Sequence, residues 1–539
     1  MHPNTPTGST PTTPTSPHLH GGQAPRGLEN TPESDFTGGR YGRMFRDLPT
    51  YDLADASLIA LADAMIQPAE PAKELGAEDE DENTATLDMS DELRLPAGYT
   101  YFGQFVDHDI TFDPASSLTR QNDPDALVDF RTPKFDLDSV YGRGPSDQPY
   151  LYDSDGLHLS LGDRQSPGFG AFDLQRVASE RAIIGDPRND ENVIVSQLQS
   201  VFLRFHNAVV DSVKTDFPAW SAADQLKHAQ RLVRWHYQWV VVHDYLPRLV
   251  GKDVVDDILP EESFVSSAST ALTVTRPKPR LVFYRFRRQP FMPVEFSVAA
   301  YRFGHSIVRP SYFINTVARP DPLPPEGAHR IPIFTPDADK PRGGLNGFKT
   351  LPREWGVDWR FFLPRITSSE QPVPGTPQPS YKLDATIATP LKTLPTSVAG
   401  AEVISTAAGP EIARSLAIRN LLRGKRLGLP SGEDVSRAMG IEPLTPDEVF
   451  TNVDVTDDVK SDLRGRTPLW FYILKESEVR SESAGLGPVG GRIVAEVLIG
   501  LLSGDHLSYL SVQPNWRPNL GPTAGEFTLS DIVNIAFAG

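Results

Sequence analysis

Apolar residues recur at steps of three and four over long stretches of this chain, the spacing that lines one face of an α-helix. Over 192–214, Val193, Ile194, Leu198, Val201, Phe202, Phe205 and Val209 keep that step. Over 222–250 it returns in Leu226, Leu232, Val233, Trp235, Trp239, Val240 and Tyr245. Shorter stretches with a helical pattern are 54–66, 294–308, 409–423 and 491–502. Strict alternation, the mark of a half-buried strand, is scarce and short. The pattern predicts a mainly α protein, a single large helical domain with little β. Residues 309–396 are rich in proline (PRPDPLPPEG, SSEQPVPGTPQPS), which predicts long irregular connections draped on the helical core.

Composition adjusts that picture at the ends and excludes several roles. Residues 1–38 are mostly Thr, Pro, Ser and Gly with little to bury, and read as a disordered tail ahead of one domain over 39–539. The acidic run at 75–83 reads as a solvated loop. A net charge of −18 argues against nucleic acid as a partner, because surplus carboxylates repel phosphate. With no cysteine there is neither a disulfide nor a zinc–thiolate site, and no interchain disulfide to set an oligomeric state. The most apolar stretch, Val494–Leu502, is too short to span a bilayer and carries Glu496. The N-terminus lacks a basic and apolar leader, so the default expectation is a cytoplasmic start with unconventional export open.

Five motifs carry candidate chemistry. Gln104 and His108 are four apart and share a helix face, where an amide and an imidazole can handle a small polar substrate; surface or capping use is the bland alternative. Thr132, Asp136 and Asp138 alternate oxygen donors along a loop, as a hard cation such as Ca²⁺ prefers, or as a turn with Asx bonds would. Arg188 precedes the long apolar helix and could polarise a bound oxygen species, in competition with plain helix capping by its acidic neighbours. His305 follows Gly304, which leaves room for a planar cofactor beside the imidazole; a satisfied core histidine is the alternative. The basic cluster from Asn420 to Pro430 binds carboxylates or ends a helix.

Taken in order, GQFVDHDITFDP, TPKFDLDSVYG, DPRNDENVIVSQLQSVFLRFHN, YRFGHSIVRP and RGKRLGLPSG resemble the animal-type haem peroxidases of the peroxidase–cyclooxygenase superfamily, over about residues 40 to 515. The resemblance implies a haem b enzyme that reduces H₂O₂ and oxidises small donors, phenolics or halides, through a ferryl intermediate. It implies His108 as the distal acid–base, Gln104 as the holder of water or halide, and Arg188 as the stabiliser of the departing oxygen's charge. His305 matches the proximal iron ligand, Asn420 its hydrogen-bond partner, and Arg302 and Arg423 the residues near the haem propionates. Asp107 and Glu191 match carboxylates that in some members form haem esters. Asn192 stands where those members have a sulfonium-forming Met, which excludes a third bond. A calcium site is implied from Asp109, Thr132, the Lys134 carbonyl, Asp136 and Asp138, the last replacing a usual Ser and adding a charge.

Two alternatives on the same scaffold accompany this reading, beside a third that discards the resemblance, a metal-binding helical protein using Asp107, Asp109, Asp136 and Asp138. Fatty-acid dioxygenases of the same superfamily carry a radical-forming Tyr three residues before the proximal His. That position is Arg302 here, and Tyr301, four before His305, should be rotated by about a hundred degrees on an α-helix. A non-catalytic adhesion or matrix protein on the same scaffold is the other, and the retained Gln104, His108, Arg188 and His305 speak against it. The absent cysteines, where animal relatives use disulfides, fit a bacterial member.

Overall fold

A computed structural model describes residues 39–67, 95–112, 117–124, 127–165, 171–260, 278–321, 329–336, 342–367, 376–400, 402–406 and 409–538. The expected tail (1–38) and acidic run (75–83) lie outside them. One hydrophobic cluster runs through the described residues from Tyr41 to Ala536.

At its centre is the helix Val193–Asp216. Asn192 starts it by accepting the Val195 N–H at 2.9 Å. Its apolar stripe is buried to 1% exposure or less, as the period requires. It packs against the helices Ala222–Val240 and Leu529–Ala538 and the helix Ala97–Ile110. The second predicted helix continues past Val240 through a π-turn, Val241–Tyr245, before Leu246–Val250. Pro247 accounts for the widening: it has no N–H to donate, and its ring collides with the carbonyl four residues back.

The stretch 294–308 is helical without being α. Glu295–Ala299 is a π-turn and Ala300–His305 a 3₁₀ segment, joined at Ala299 with φ −127° and ψ −74°. The buried Glu295 carboxylate accepts the Met44 and Phe45 N–H groups at 2.9 and 3.0 Å, tying this wide turn to the N-terminal segment. At 409–423 the expectation is half wrong. Val403–Thr406 and Gly409–Ile412 form an antiparallel hairpin, and the helix begins only at Leu416. Gly409 sits at φ +118° and Pro410 lacks an N–H, so neither continues a helix; Ser415 provides the cap instead.

Strands are two to four residues long. The strand Gly39–Gly42 lies between Val128–Asp129 and Met292–Pro293, antiparallel to the first and parallel to the second. The described part of 309–396 is irregular, as expected, and buries Trp355 and Trp359. Among the described residues no helix is long and apolar enough to cross a membrane. Val494–Leu502 is buried in Pro488–Gly504, and its Glu496 accepts the Phe283 and Tyr284 N–H groups at 2.7 and 2.9 Å.

Candidate functional site

Four elements converge on one cavity of about 530 Å³, a size suited to a cofactor. The helix Ala97–Ile110 contributes Gln104, Asp107 and His108, on one face as their spacing predicts. The 3₁₀ turn Pro187–Asp190 and the residues after it contribute Arg188, Glu191 and Asn192. The 3₁₀ segment Ala300–His305 contributes Tyr301, Arg302, Gly304 and His305. The helix Leu416–Arg426 adds Arg423 and, unforeseen from the sequence, Arg419. Arg419 stands one turn before Arg423, so the i, i+4 step from a known candidate was the missed signal. Apolar walls come from Phe112, Ile333, Phe334, Leu391, Leu394 and Leu427.

His108 is held with Nδ1 2.7 Å from Asn189 Oδ1. Burial, aided by the Arg188 charge, pushes its pKa down to about 3, so the ring is neutral in ordinary conditions. Arg188 is braced rather than loose. Its Nη2 donates to the carbonyls of His108 and Thr111 at 2.9 and 2.6 Å and pairs with Asp186 at 2.8 Å. Gln104 donates to Glu191 at 3.1 Å and accepts from Asn192 at 3.2 Å. Asn192 therefore both caps the long helix and orients Gln104. Asp107 and Glu191 line the same cavity half-buried, and desolvation there raises both carboxyls, Glu191 to about 7.

His305 is also neutral, pushed to about 3 by burial and then by Arg302. Its Nδ1 lies 2.8 Å from Asn420 Nδ2, while Asn420 Oδ1 accepts from Arg302 at 3.2 Å. In that arrangement the amide donates to Nδ1 and the proton sits on Nε2. A metal ion held at Nε2 would leave the ring proton on Nδ1, facing the Asn420 amide. Beside the ring, a Cβ added at Gly304 would meet nothing within 4 Å. Arg302, Arg419 and Arg423 stand together at the cavity wall. Burial, and then the Arg423 charge, lowers the pKa values of Arg302, to about 10, and of Arg419. Arg423 Nε is buried with no hydrogen-bond partner. An open slot beside a neutral imidazole, with crowded guanidinium groups at its wall, fits a planar group bearing carboxylates, as haem does.

Tyr301, four residues before His305, also lines the cavity, with its hydroxyl 3.4 Å from that of Tyr245.

Next to His108, Asp109 points away from the cavity. It is fully buried. Ligand oxygens of Asp109, Asp136 and Asp138 lie within 4.8 Å of one another. Burial and the mutual repulsion raise the Asp109 pKa, and Asp138 is pushed up to about 7. Such a cluster fits a hard cation, which would supply the missing charge. Thr132 Oγ1 donates to Asp136 at 2.6 Å, and Lys134 N–H donates to the Thr132 carbonyl at 2.7 Å. The extra charge of Asp138 does not act alone, since Arg131 pairs with it at 2.9 Å and with Asp186 at 2.6 Å.

Residues 118–332 match the family model described as animal haem peroxidase. Dual oxidase of Drosophila melanogaster is 27% identical over 141 residues, 26% of this chain and 8% of that protein. Human thyroid peroxidase is 27% identical over 129 residues, 24% of this chain and 12% of that protein. The chain thus spans a small part of these relatives' length. Among solved structures, peroxidase A from Dictyostelium discoideum superposes with a TM-score of 0.54 at 14% identity, covering 93% of this chain and 90% of that one. A fatty acid alpha-dioxygenase from Arabidopsis thaliana gives 0.53 at 14% identity, covering 87% and 74%. At that identity the likeness concerns the fold.

Proposed function

Because the chain belongs with the animal haem peroxidases by family match and has the peroxidase–cyclooxygenase fold, we propose that it is a haem-dependent peroxidase that reduces H₂O₂ and oxidises small donors, phenolics or halides. Residues 39–539 act as one such domain in this reading. The observation that carries it is a cavity lined by two imidazoles, His108 and His305, together with Arg188 and a cluster of three further arginines.

Haem, when bound, supplies the redox chemistry. His305 would hold its iron through Nε2, with Asn420 orienting the ring. Arg302, Arg419 and Arg423 would take the haem carboxylates, and Asp107 and Glu191 are the candidate ester-forming carboxyls. His108 takes a proton from one peroxide oxygen and returns it to the other. Arg188, fixed by Asp186, offers a cation that needs no reorganisation as charge develops. Gln104 orients water or halide. Asp109, Thr132, the Lys134 carbonyl, Asp136 and Asp138 hold Ca²⁺ and, through Asp109, fasten the helix that carries His108.

One observation favours a second reading. Tyr301 reaches the cavity, so a phenol is available for a fatty-acid dioxygenase role. Guaiacol oxidation driven by H₂O₂, measured beside oxygen uptake with linoleate, separates the two. Peroxide-dependent turnover that survives Tyr301→Phe supports the peroxidase; oxygen uptake lost in that variant, without peroxide turnover in the parent, reverses the choice.

A further inference from the structure

A buried amide must place both its donors and its acceptor, or lose the hydrogen bonds it gave up on leaving water. Asn189 and Gln199 are both fully buried. Asn189 lies in the turn Pro187–Asp190, and Gln199 in the second turn of the helix Val193–Asp216. They form a chain. His108 Nδ1 is 2.7 Å from Asn189 Oδ1, Asn189 Nδ2 is 2.8 Å from Gln199 Oε1, and Gln199 Nε2 is 3.3 Å from the Ser139 carbonyl.

The far end sets the direction of the whole chain. A backbone carbonyl only accepts, so Gln199 must turn its NH₂ to Ser139 and its oxygen to Asn189. Asn189 must then turn its NH₂ to Gln199 and its oxygen to His108. Reversing either amide sets two acceptors or two donors face to face. A neutral imidazole carries one proton on either nitrogen, and only the ring with Nδ1–H completes this chain.

We infer that Asn189, oriented by Gln199, is a positioning residue that fixes His108 in the tautomer protonated on Nδ1, leaving Nε2 as the bare nitrogen that receives a proton from peroxide. The inference rests on the reading of His108 as the acid–base group and deepens it. Without the chain the neutral ring could carry its proton on Nε2, and that form has no lone pair with which to begin the reaction. Ser139 directly follows Asp138, so the same loop that gathers the acidic cluster also anchors the tautomer of the neighbouring helix's histidine.

The test reads the ring proton and the rate separately. Ring ¹⁵N shifts of His108 are recorded on histidine-labelled holoenzyme in its diamagnetic ferrous–carbon monoxide state, with His108→Ala identifying the resonances. The parent and Asn189→Asp, which keeps an acceptor facing the ring, are expected to show protonated Nδ1 and unprotonated Nε2. Asn189→Leu and Gln199→Met are expected to move proton occupancy to Nε2, and to slow the bimolecular reaction with H₂O₂ at least tenfold, with Asn189→Asp restoring it. Gln199→Met carries the test should Asn189→Leu fail to fold. A parent ring protonated on Nε2, or an unchanged ring proton in folded Asn189→Leu or Gln199→Met, overturns the inference. A peroxide rate unchanged in His108→Ala overturns the proposed role of His108 instead, and the ring shifts still decide what Asn189 does.

Discussion

At the scale of single residues, the two histidines have separable jobs. His108 touches no haem iron in the proposed arrangement, so His108→Ala should retain the Soret absorption band while slowing the reaction with H₂O₂ by about 10²–10⁴, the usual range for a lost acid–base group. His305→Ala should do the reverse and lose the band on gel filtration. The check is haem content beside stopped-flow kinetics; equal loss of haem in both variants would contradict the division. Most of this site was readable, because each residue stands in a short ordered motif whose chemistry is local. Asn189 and Gln199 were not. A buried glutamine has no period to announce it, and its partner becomes visible only when the turn and the helix are brought together.

At the scale of elements, the periodic helices were legible and the deviations follow from particular residues. Val193–Asp216 has an uninterrupted apolar stripe and an Asn cap, and it forms where the pattern places it. Gly409 and Pro410 defeat the helical pattern locally, which periodicity alone does not weigh. The π-turn and 3₁₀ run before His305 have no sequence period of their own. The acidic loop makes its own prediction. If Asp109, Asp136 and Asp138 hold a cation, Ca²⁺ should raise the unfolding midpoint, with a stabilisation of about 2.7 kcal/mol at a hundredfold excess over Kd. Chelator should reverse the rise, and Asp109→Asn should abolish it. Midpoints that are the same with Ca²⁺ and with chelator, by scanning calorimetry, would rule the cation out.

At the scale of the molecule, a protein without cysteine rests on packing and buried polar groups, and those groups give stability a pH signature. Burial raises Asp129 from 3.8 to about 8; one of its oxygens accepts the Phe112 and Arg131 N–H groups, and the other has no partner. Glu476 is likewise raised from 4.5 to about 7 by burial. A raised folded pKa means a contribution that is complete below the unfolded value and lost as pH rises through the folded one. Asp186 runs the other way despite its burial. Arg188 and Arg131 hold it well below the usual carboxylate range, so its contribution is complete above 3.8 and is lost only as strong acid reaches the folded value. The midpoint should therefore fall between about pH 4 and 8. Asp129→Asn should flatten that slope and gain on the order of 1–4 kcal/mol at pH 9, since each tenfold change in proton affinity is worth about 1.4 kcal/mol. Denaturant titrations across that range check it, and an unchanged slope in the variant would assign the titration elsewhere.

The central claim concerns what fills the cavity between His108 and His305, and the absorption spectrum of purified protein, expressed with haem supplied, tests it most directly. The account predicts a Soret band that shifts promptly on adding H₂O₂ and returns when guaiacol is added. A colourless protein, or a Soret band indifferent to peroxide, would contradict it.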